Sequence, residues 1–477
     1  MTRHGALVAA IFVAVCTSRA VLFPASIWEQ DEAYLAAAVI EIDLAESAPH
    51  PPFFPLWVGL GKVLHLIGLE PATGLMLASA VLGSLAFLPL VALWSRLMKP
   101  GLAVVAAALA LATPGVWLLA GRAFTGTAAT AALVAAVACW TRPGADRGWL
   151  AGGSLAAGVA VLIRPHVVVI VAAAAVVVLT DRPARRRWLS VVAPGVIDTV
   201  AGFAAFVAAA GGPAAIRSAI ARHAALHFGA LPEASRSLLD SGLAAVLGHP
   251  AVAVVWCALA ASGAWLALRS AQHRRAAAVI AVALASAVVV VFGLSNPAHP
   301  RYAVPLVLLS SGFVVVALAR LLGERIAAVV VALAVAAAAV LVLPVAASYR
   351  RLTAPPLEAL DLADRLAAGR RGVVVADRRL HAFVVYRETL GRQASPVVFD
   401  YLIELGTSPP PPPARSVMVF DDGHDELLVA GETRQTIRCT VPLLRSLSQG
   451  RFLDLTVVDG ARLVNRSDSD GPFVILD

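Results

Sequence analysis

Residues 326–347 have the sequence IAAVVVALAVAAAAVLVLPVAA, 22 positions without a charged side chain. A helix needs about 20 apolar residues to cross the roughly 30 Å hydrocarbon core of a bilayer, so this stretch predicts a transmembrane helix. Comparable stretches recur through the first 350 residues and predict a polytopic α-helical membrane protein. The eleven candidate spans are 5–23, 72–97, 102–120, 125–140, 149–163, 166–179, 189–210, 251–268, 276–294, 302–322 and 326–347.

The composition of the whole chain agrees with this prediction. Of 477 residues, 59% are hydrophobic and 14% charged, and the mean hydropathy is +0.81. Ordinary soluble domains are about half apolar and a quarter charged, so a soluble globule is excluded, as are collagen-like and disordered chains. The formal net charge is +8, but all basic residues except Lys62 and Lys99 are arginines that lie largely between apolar segments. We therefore expect no nucleic-acid partner.

The arginines also predict an orientation. If the N-terminus is cytoplasmic and the spans alternate, the loops assigned to the cytoplasm carry Arg or Lys without exception. Residues 20–61, on the opposite side, contain neither. This distribution follows the positive-inside rule. The excess of arginine and alanine is typical of a GC-rich bacterial genome, which would make the membrane the bacterial cytoplasmic one. The two short spans around Arg164 and Pro165 form either a tight hairpin or a kinked re-entrant element.

The composition changes after residue 347. The remainder is mixed and charged, with a helical pattern at 357–368, β-like runs at 372–376, 396–399, 417–420 and 452–458, and a proline run at 409–413. We predict a transmembrane domain at 1–349, whose first outer loop is 24–71, and a small α/β soluble domain at 350–477 on the extracytoplasmic side.

The most informative motif lies in that first outer loop. The sequence WEQDEAY at 28–34 places Asp31 and Glu32 at the start of a predicted helix, 32–45, and His50-Pro51-Pro52 follows. At the membrane surface a carboxylate can accept a proton from an acceptor hydroxyl or bind a divalent cation through its oxygens. The alternative is an outer loop that merely tolerates acidic residues.

These motifs resemble the GT-C superfamily of glycosyltransferases that use polyprenyl-phosphate sugars, in particular the protein O-mannosyltransferase and lipid A aminoarabinose transferase group. The Asp-Glu pair in a long first outer loop and the His-Pro-Pro carry the resemblance. Pro300-Arg301-Tyr302 with Pro305, at the entry to a late span, is a second match, and the span ending in Arg164-Pro165 is a third.

The resemblance implies inverting transfer of a sugar from a polyprenyl-phosphate donor to a lipid, glycan or protein acceptor. It implies Asp31 as the base and Glu32 as its helper or, if a divalent cation is needed, as a metal ligand with Asp31. Arg301 and Tyr302 would bind the donor phosphate, and His50 would orient donor or acceptor. An apolar groove among membrane lipids would hold the polyprenyl chain.

Arg122 and Arg164 are further phosphate-binding candidates, because both lie at the predicted outer ends of spans, as does Arg301; Arg122 rests on this placement alone. An arginine near the membrane interior is costly and is a functional candidate by default, and its planar fork of donors suits phosphate. The alternative is that each one extends to the interface. Asp198, in the middle of an apolar span, is expected to be structural. Arg217, Arg222, His223 and His227 are expected to contact lipid headgroups.

Two other functions stay open: a transporter or flippase of lipid-linked sugars, and a non-catalytic envelope scaffold. Transporters often contain inverted repeats and charges at the bilayer midplane; here the charged candidates lie at the outer ends of spans. The sequence contains no Walker-type loop, no Gly-x-Gly-x-x-Gly opening a helix and no Cys/His zinc spacing. A lipid-linked donor is consistent with the lack of nucleotide motifs.

Overall fold

A computed structural model describes residues 3–227, 242–294, 299–368, 372–375, 380–399, 416–421, 428–430, 433–439, 441, 443, 447, 454–465 and 474–475. The first helices are α1 Arg3–Val21, α2 Gln30–Ile40, α3 Pro55–Leu66, α4 Pro71–Leu85, α5 Phe87–Trp94, α6 Pro100–Ala112, α7 Pro114–Leu119, α8 Gly126–Trp140 and α9 Arg147–Ile163. The next are α10 Val168–Leu179, α11 Arg182–Arg185, α12 Trp188–Ala209, α13 Pro213–His227, α14 Ala244–Leu247, α15 Pro250–Arg269, α16 Arg274–Leu294, α17 Pro300–Leu322 and α18 Glu324–Arg351.

The helices confirm a polytopic membrane protein. Among the described residues, six helical segments are long and apolar enough to cross a bilayer, and five shorter apolar helices accompany them. Each of these eleven segments overlaps one predicted span, and the number that truly crosses the membrane stays a prediction. Many large apolar side chains on these helices are exposed, for example Val176, Ile197 and Leu341. Such surfaces suit contact with lipid rather than with water.

Proline residues end two of the helices, one of them inside a predicted span. The span 102–120 breaks into α6 and α7 at Thr113, because Pro114 follows and restricts that residue to an extended backbone. Arg164 is likewise extended before Pro165, so α9 ends at Ile163. One 3-10 turn, Pro165–Val167, then leads into α10. The structure therefore has a break in the helix at Arg164, which both alternatives, a tight hairpin and a kinked re-entrant element, include.

The first outer loop is largely helical. Helix α2 begins at Gln30, two residues before the predicted start, and ends at Ile40, five residues before the predicted end. It stops there because Glu41 is extended and Asp43 pairs with Ala48 in an isolated β-bridge. Helix α3, which the sequence did not predict, begins with Pro55 in its first turn. Most of α2 is buried, so its position is fixed by packing.

The C-terminal part contains two helices, α19 Pro355–Ala367 and α20 His381–Thr389, and a mixed sheet. The strands are β1 Val373–Val375, β2 Val397–Phe399, β3 Ser416–Asp421, β4 Leu428–Ala430, β5 Thr433–Arg438, β6 Asp454–Asn465 and β7 Val474–Ile475. Strand β1 is parallel to β2 and β3, and β6 is antiparallel to β3, β4, β5 and β7. The predicted α/β character is confirmed; the proline run at 409–413 lies outside the described residues, and the domain boundary stays a prediction.

Four chain segments converge at one end of the helical bundle. They are the N-terminus of α2, the loop between α7 and α8, the turn between α9 and α10, and the N-terminus of α17. Side chains from all four contact one another. Helix α20 packs against α2 beside this point.

Candidate active site

The most buried part of the site is an ion pair between Glu32 of α2 and Arg122 of the α7–α8 loop. Nε of Arg122 lies 2.9 Å from both carboxylate oxygens of Glu32, and Nη2 lies 2.5 Å from Oε2. The side chains are 0% and 1% exposed. Burying two charges is costly unless their geometry and remaining hydrogen bonds are good, and here both conditions hold.

Backbone donors complete the surroundings of Glu32. The N–H groups of Trp28 and Glu29 donate to Oε2 at 2.8 and 3.0 Å, and the N–H of Ala123 donates to Oε1 at 2.8 Å. The bond from Glu29 to a Glu three residues later is half of a capping box, which favours the start of a helix at this point. Glu32 therefore joins the start of α2 to the loop before α8.

A second ion pair lies beside the first. Nη2 of Arg301, in the first turn of α17, is 2.5 Å from Oδ2 of Asp31. Glu29 lies between the two arginines: its Oε1 is 3.2 Å from Nη2 of Arg122, and its Oε2 is 3.5 Å from Nη1 of Arg301. The five side chains form one row of alternating charge, which we call the charge row: Glu32, Arg122, Glu29, Arg301, Asp31.

The charge row is closed at one end and open at the other. Glu32 and Arg122 are inaccessible, whereas the side chains of Glu29, Arg301 and Asp31 are 14%, 13% and 16% exposed. A ligand can therefore reach the Arg301–Asp31 end and not the Glu32–Arg122 end. The sequence analysis expected Glu32 to assist the base and Arg122 to bind phosphate. In the structure the two side chains instead bind each other in a buried ion pair.

Arg164 occupies the same end of the bundle and lies over an aromatic ring. Its guanidinium lies over the ring of Tyr302, 4.6 Å from the centroid, and Arg301 lies 5.2 Å from the same centroid. Among the residues that the structure describes, no carboxylate forms an ion pair with Arg164, although the residue is only 9% exposed. A Cβ on Gly126 would lie 3.1 Å from Nη1 of Arg164 and 3.4 Å from the carbonyl oxygen of Arg301, so this glycine permits their close approach.

His50 adjoins the open end of the charge row. Its Nε2 is 3.9 Å from Oδ2 of Asp31, and its ring packs edge-on against Phe54 at 5.2 Å. The ring of His223 in α13 stacks on His50 at 6.2 Å. Sequence analysis placed His223 on lipid headgroups and gave no indication of this contact. Arg222, its neighbour, is exposed and donates to the carbonyl of Leu44.

Sequence reasoning also missed Glu29, Phe124 and His166. Phe124 packs under both Arg122 and Arg301, at 5.0 and 4.8 Å from its ring centroid. His166 interacts electrostatically with Arg164, His50 and Arg301, and its Nδ1 is buried without a hydrogen-bond partner in the described part of the chain. The only signal for His166 was its position directly after Arg164-Pro165. For Glu29 the signal was its place in an unusually acidic heptapeptide.

Asp31 and Glu29 differ in how their surroundings affect ionisation. Burial raises the pKa of Asp31, but Arg301, followed by His50 and His299, outweighs burial and holds that pKa well below its usual range. Burial also raises the pKa of Glu29, and there it outweighs the opposing effects of Arg122 and Arg301. Asp31 is therefore the carboxylate that stays charged when the pH falls.

A divalent cation shared by Asp31 and Glu32 does not fit this arrangement. Both oxygens of Glu32 already accept hydrogen bonds from Arg122 and from backbone N–H groups, and Oδ2 of Asp31 is bound to Arg301. A cation there would face two guanidinium groups instead of the oxygen ligands it needs. Within the described ranges, no group of three His, Cys, Asp or Glu side chains is arranged to hold a metal ion.

The structure thus brings together all seven residues selected from the sequence: Asp31, Glu32, His50, Arg122, Arg164, Arg301 and Tyr302. It separates them into a buried pair and an accessible group. Asp198 lies elsewhere, against Gly158 of α9, and its Oδ2 is buried without a hydrogen bond within the described residues.

Comparison with known proteins identifies the fold. No family model and no curated protein sequence matches the chain. ArnT from Cupriavidus metallidurans is similar in structure: the form bound to undecaprenyl phosphate has a TM-score of 0.56 at 17% identity, covering 97% of this chain and 99% of that one. Its apo form gives 0.57 at 18% identity, covering 94% and 97%.

An oligosaccharyltransferase from Archaeoglobus fulgidus is also similar, with a TM-score of 0.51 at 14% identity over 83% of this chain and 65% of that one. The likeness to ArnT extends over almost the whole length of both chains. The chain therefore has an ArnT-like GT-C fold, as the sequence motifs predicted.

Proposed function

We propose that this protein is a membrane glycosyltransferase that moves a sugar, with inversion, from a polyprenyl-phosphate donor to an acceptor on the extracytoplasmic side. The observation that carries the proposal is the pairing of an accessible carboxylate, Asp31, with two arginines of which one, Arg164, has no ion-pair partner among the described residues. A carboxylate that takes a proton next to guanidinium groups that bind phosphate is what this transfer requires.

Asp31 is the base in this proposal. Its carboxylate takes the proton from an acceptor hydroxyl, and the acceptor oxygen forms a bond to the anomeric carbon of the sugar. The bond from that carbon to the phosphate oxygen breaks, and the polyprenyl phosphate leaves with the electron pair. Attack from the face opposite the leaving group inverts the anomeric configuration. His50, 3.9 Å from Asp31, lies where it can orient the acceptor or donor.

Arg301 and Arg164 stabilise the departing phosphate. Negative charge on the leaving group grows in the transition state, so preorganised cations near it lower the barrier. Tyr302 and Phe124 hold the guanidinium planes by stacking, since each ring lies about 5 Å from an arginine carbon. The Glu32–Arg122 pair contributes by fixing the position of α2, not by contacting substrate.

The structural likeness supports a lipid-linked donor, since ArnT has been crystallised with undecaprenyl phosphate. The acceptor is a lipid, a glycan or a protein, and the polyprenyl chain occupies an apolar groove at the level of the bilayer. The catalytic part is residues 1–349, and residues 350–477 form an α/β domain over its outer face. A cytoplasmic N-terminus places the charge row at the extracytoplasmic surface of a bacterial cytoplasmic membrane.

A donor-side assay tests the proposal without knowledge of the acceptor. Purified protein in lipid nanodiscs is incubated with a panel of undecaprenyl-phosphate sugars and detergent-extracted envelope, and release of undecaprenyl phosphate is followed by mass spectrometry. We expect release from one donor, and loss of more than about 99% of it in Asp31→Asn, because removing a general base costs 10²–10⁴-fold.

Retained turnover in Asp31→Asn would remove Asp31 from the mechanism. In proteoliposomes, movement of the intact donor between leaflets without release of its sugar would instead show a flippase. Absence of both activities and of undecaprenyl phosphate binding would leave the scaffold hypothesis.

A further inference from the structure

Arg301 is the one member of the charge row that is both accessible and fully engaged by carboxylates. Its Nη2 contacts Asp31 at 2.5 Å and its Nη1 contacts Glu29 at 3.5 Å. In the proposed function the same guanidinium must bind the donor phosphate, and the same Asp31 must be free to take a proton. In the structure the two groups satisfy each other.

The surroundings show which contact can open. Glu29 is also bound by Arg122, which is inaccessible and tied to Glu32, so Glu29 belongs to the fixed end of the charge row. Within the described part of the chain, Asp31 forms ion pairs with Arg301 and, at 3.9 Å, with His50, and with no second arginine. An entering anion can therefore replace Asp31 at Arg301 more readily than it can replace Glu29.

The position of Arg301 favours such an exchange over a large movement. Its guanidinium carbon lies over the rings of Phe124 and Tyr302, 4.8 and 5.2 Å from their centroids, and these contacts help to hold it in place. The guanidinium of Arg164 also lies over the ring of Tyr302, 4.6 Å from its centroid, so a phosphate bound at Arg301 can also contact this second guanidinium. The N-terminus of α17 adds partial positive charge at the same place.

We propose that the donor phosphate displaces Asp31 from Arg301, so that the base becomes available only when the donor is bound, while Glu29 keeps Arg301 in position. This proposal rests on the proposed function and adds an order of events to it. Without donor, Asp31 is neutralised by Arg301 and takes no proton. With donor, the phosphate takes over Nη2 of Arg301, and Asp31 faces the acceptor as a free carboxylate.

Binding of undecaprenyl phosphate tests the exchange apart from turnover. Affinity for nanodisc-embedded full-length protein is measured for the wild type, Asp31→Asn, Glu29→Gln, Arg301→Ala and the double variant of Asp31→Asn with Arg301→Ala. Since Asp31 competes with phosphate, Asp31→Asn should bind about five- to tenfold more tightly than the wild type while being inactive. Glu29→Gln, which removes the same charge from a neighbouring position, should change affinity less than about twofold.

The double variant separates exchange from general repulsion. If Asp31 acts through Arg301, Asp31→Asn changes the affinity of the Arg301→Ala protein less than about twofold, so the effects are non-additive. Unchanged or weaker binding by Asp31→Asn overturns the proposal, as does equal tightening by Glu29→Gln or in the Arg301→Ala background. If the wild type neither binds undecaprenyl phosphate nor releases it from a donor, the proposed function itself fails. Thermal unfolding of each variant confirms that the compared proteins are folded.

Discussion

The hydroxyl of Tyr34 lies 2.9 Å from Nδ1 of His381, a residue 347 positions further along the chain. Nε2 of the same histidine is 2.7 Å from Oε2 of Glu46, so His381 bridges helix α2 and the loop that follows it. Tyr386, one turn further along α20, hydrogen-bonds to Glu70 before α4. These contacts tie α20 to the outer loop one turn of helix from Asp31.

Replacing His381 by alanine should loosen α20. The substitution removes both bridging contacts at once, so we expect faster amide hydrogen exchange in residues 381–389 and in α2, with a smaller effect elsewhere. His65→Ala is the control, because His65 is an exposed histidine of α3 whose ring hydrogen-bonds to the carbonyl of the nearby Leu69. Unchanged exchange in His381→Ala would mean that apolar packing alone holds α20 in place.

Breaking the Glu32–Arg122 pair should destabilise the whole protein. Removing one partner of a buried ion pair leaves an uncompensated charge and costs about 3–5 kcal/mol. We expect Arg122→Met to lower the thermal unfolding temperature strongly in detergent. The control is Lys99→Met, because Lys99 pairs with Glu324 at 2.8 Å on the surface, where side-chain exposures are 73% and 49%, and such pairs contribute about 0–1 kcal/mol. Similar melting of both variants would contradict a buried anchoring role.

Arg164→Ala should behave in the opposite way. Since Arg164 has no ion-pair partner among the described residues, its removal leaves no carboxylate uncompensated, and we expect little loss of thermal stability. Affinity for undecaprenyl phosphate should fall about 10- to 100-fold, because charge-assisted hydrogen bonds contribute about 1.5–3 kcal/mol. Arg164→Lys keeps the charge without the planar fork and should recover only part of the binding. Full affinity in Arg164→Ala would exclude this arginine from the phosphate site.

The pH dependence of turnover should report the environment of Asp31. Because Arg301, His50 and His299 hold its pKa below the usual range, kcat/KM of the wild type should not fall through protonation of Asp31 between pH 7 and about pH 5. In Arg301→Gln the largest of these lowering influences is lost, while burial still raises the pKa of Asp31, so that pKa should be higher than in the wild type. The acid limb of residual kcat/KM should therefore move to higher pH, and identical profiles would show that another group sets this limb.

Most of the fold could be predicted from the sequence, because backbone N–H and C=O groups inside a bilayer must be hydrogen-bonded within the protein. Each predicted span has an apolar helix, since uninterrupted apolar stretches of that length have no other stable conformation in a bilayer. The errors occur where a single residue overrides the pattern: Pro114 breaks one span into two helices, and Glu41 ends α2 early. Helix α3 was not predicted, because its apolar residues closely follow Pro51 and Pro52, which are typical of a bend in a loop.

The candidate site was predictable as a set of residues but not as an arrangement. Charged residues at span ends stand out against an apolar background, and so Asp31, Arg164 and Arg301 were found. Adjacent positions 31 and 32, however, point in different directions from a helix, about 100° apart. No sequence pattern indicated that Glu32 faces inward to Arg122, 90 positions away, while Asp31 faces the open end. Such long-range pairing depends on tertiary packing.

The attachment of Glu32 to Arg122 has a consequence for how acceptor specificity would change in the proposed function. Arg122 and backbone N–H groups hold the carboxylate of Glu32, so helix α2 and the adjacent Asp31 are fixed in position. In the proposed function, each acceptor must therefore bind so that its hydroxyl reaches Asp31 in this fixed position. We expect natural or engineered changes of acceptor specificity to occur in residues 41–54 and on α20. The Glu32–Arg122 pair should be retained in such variants.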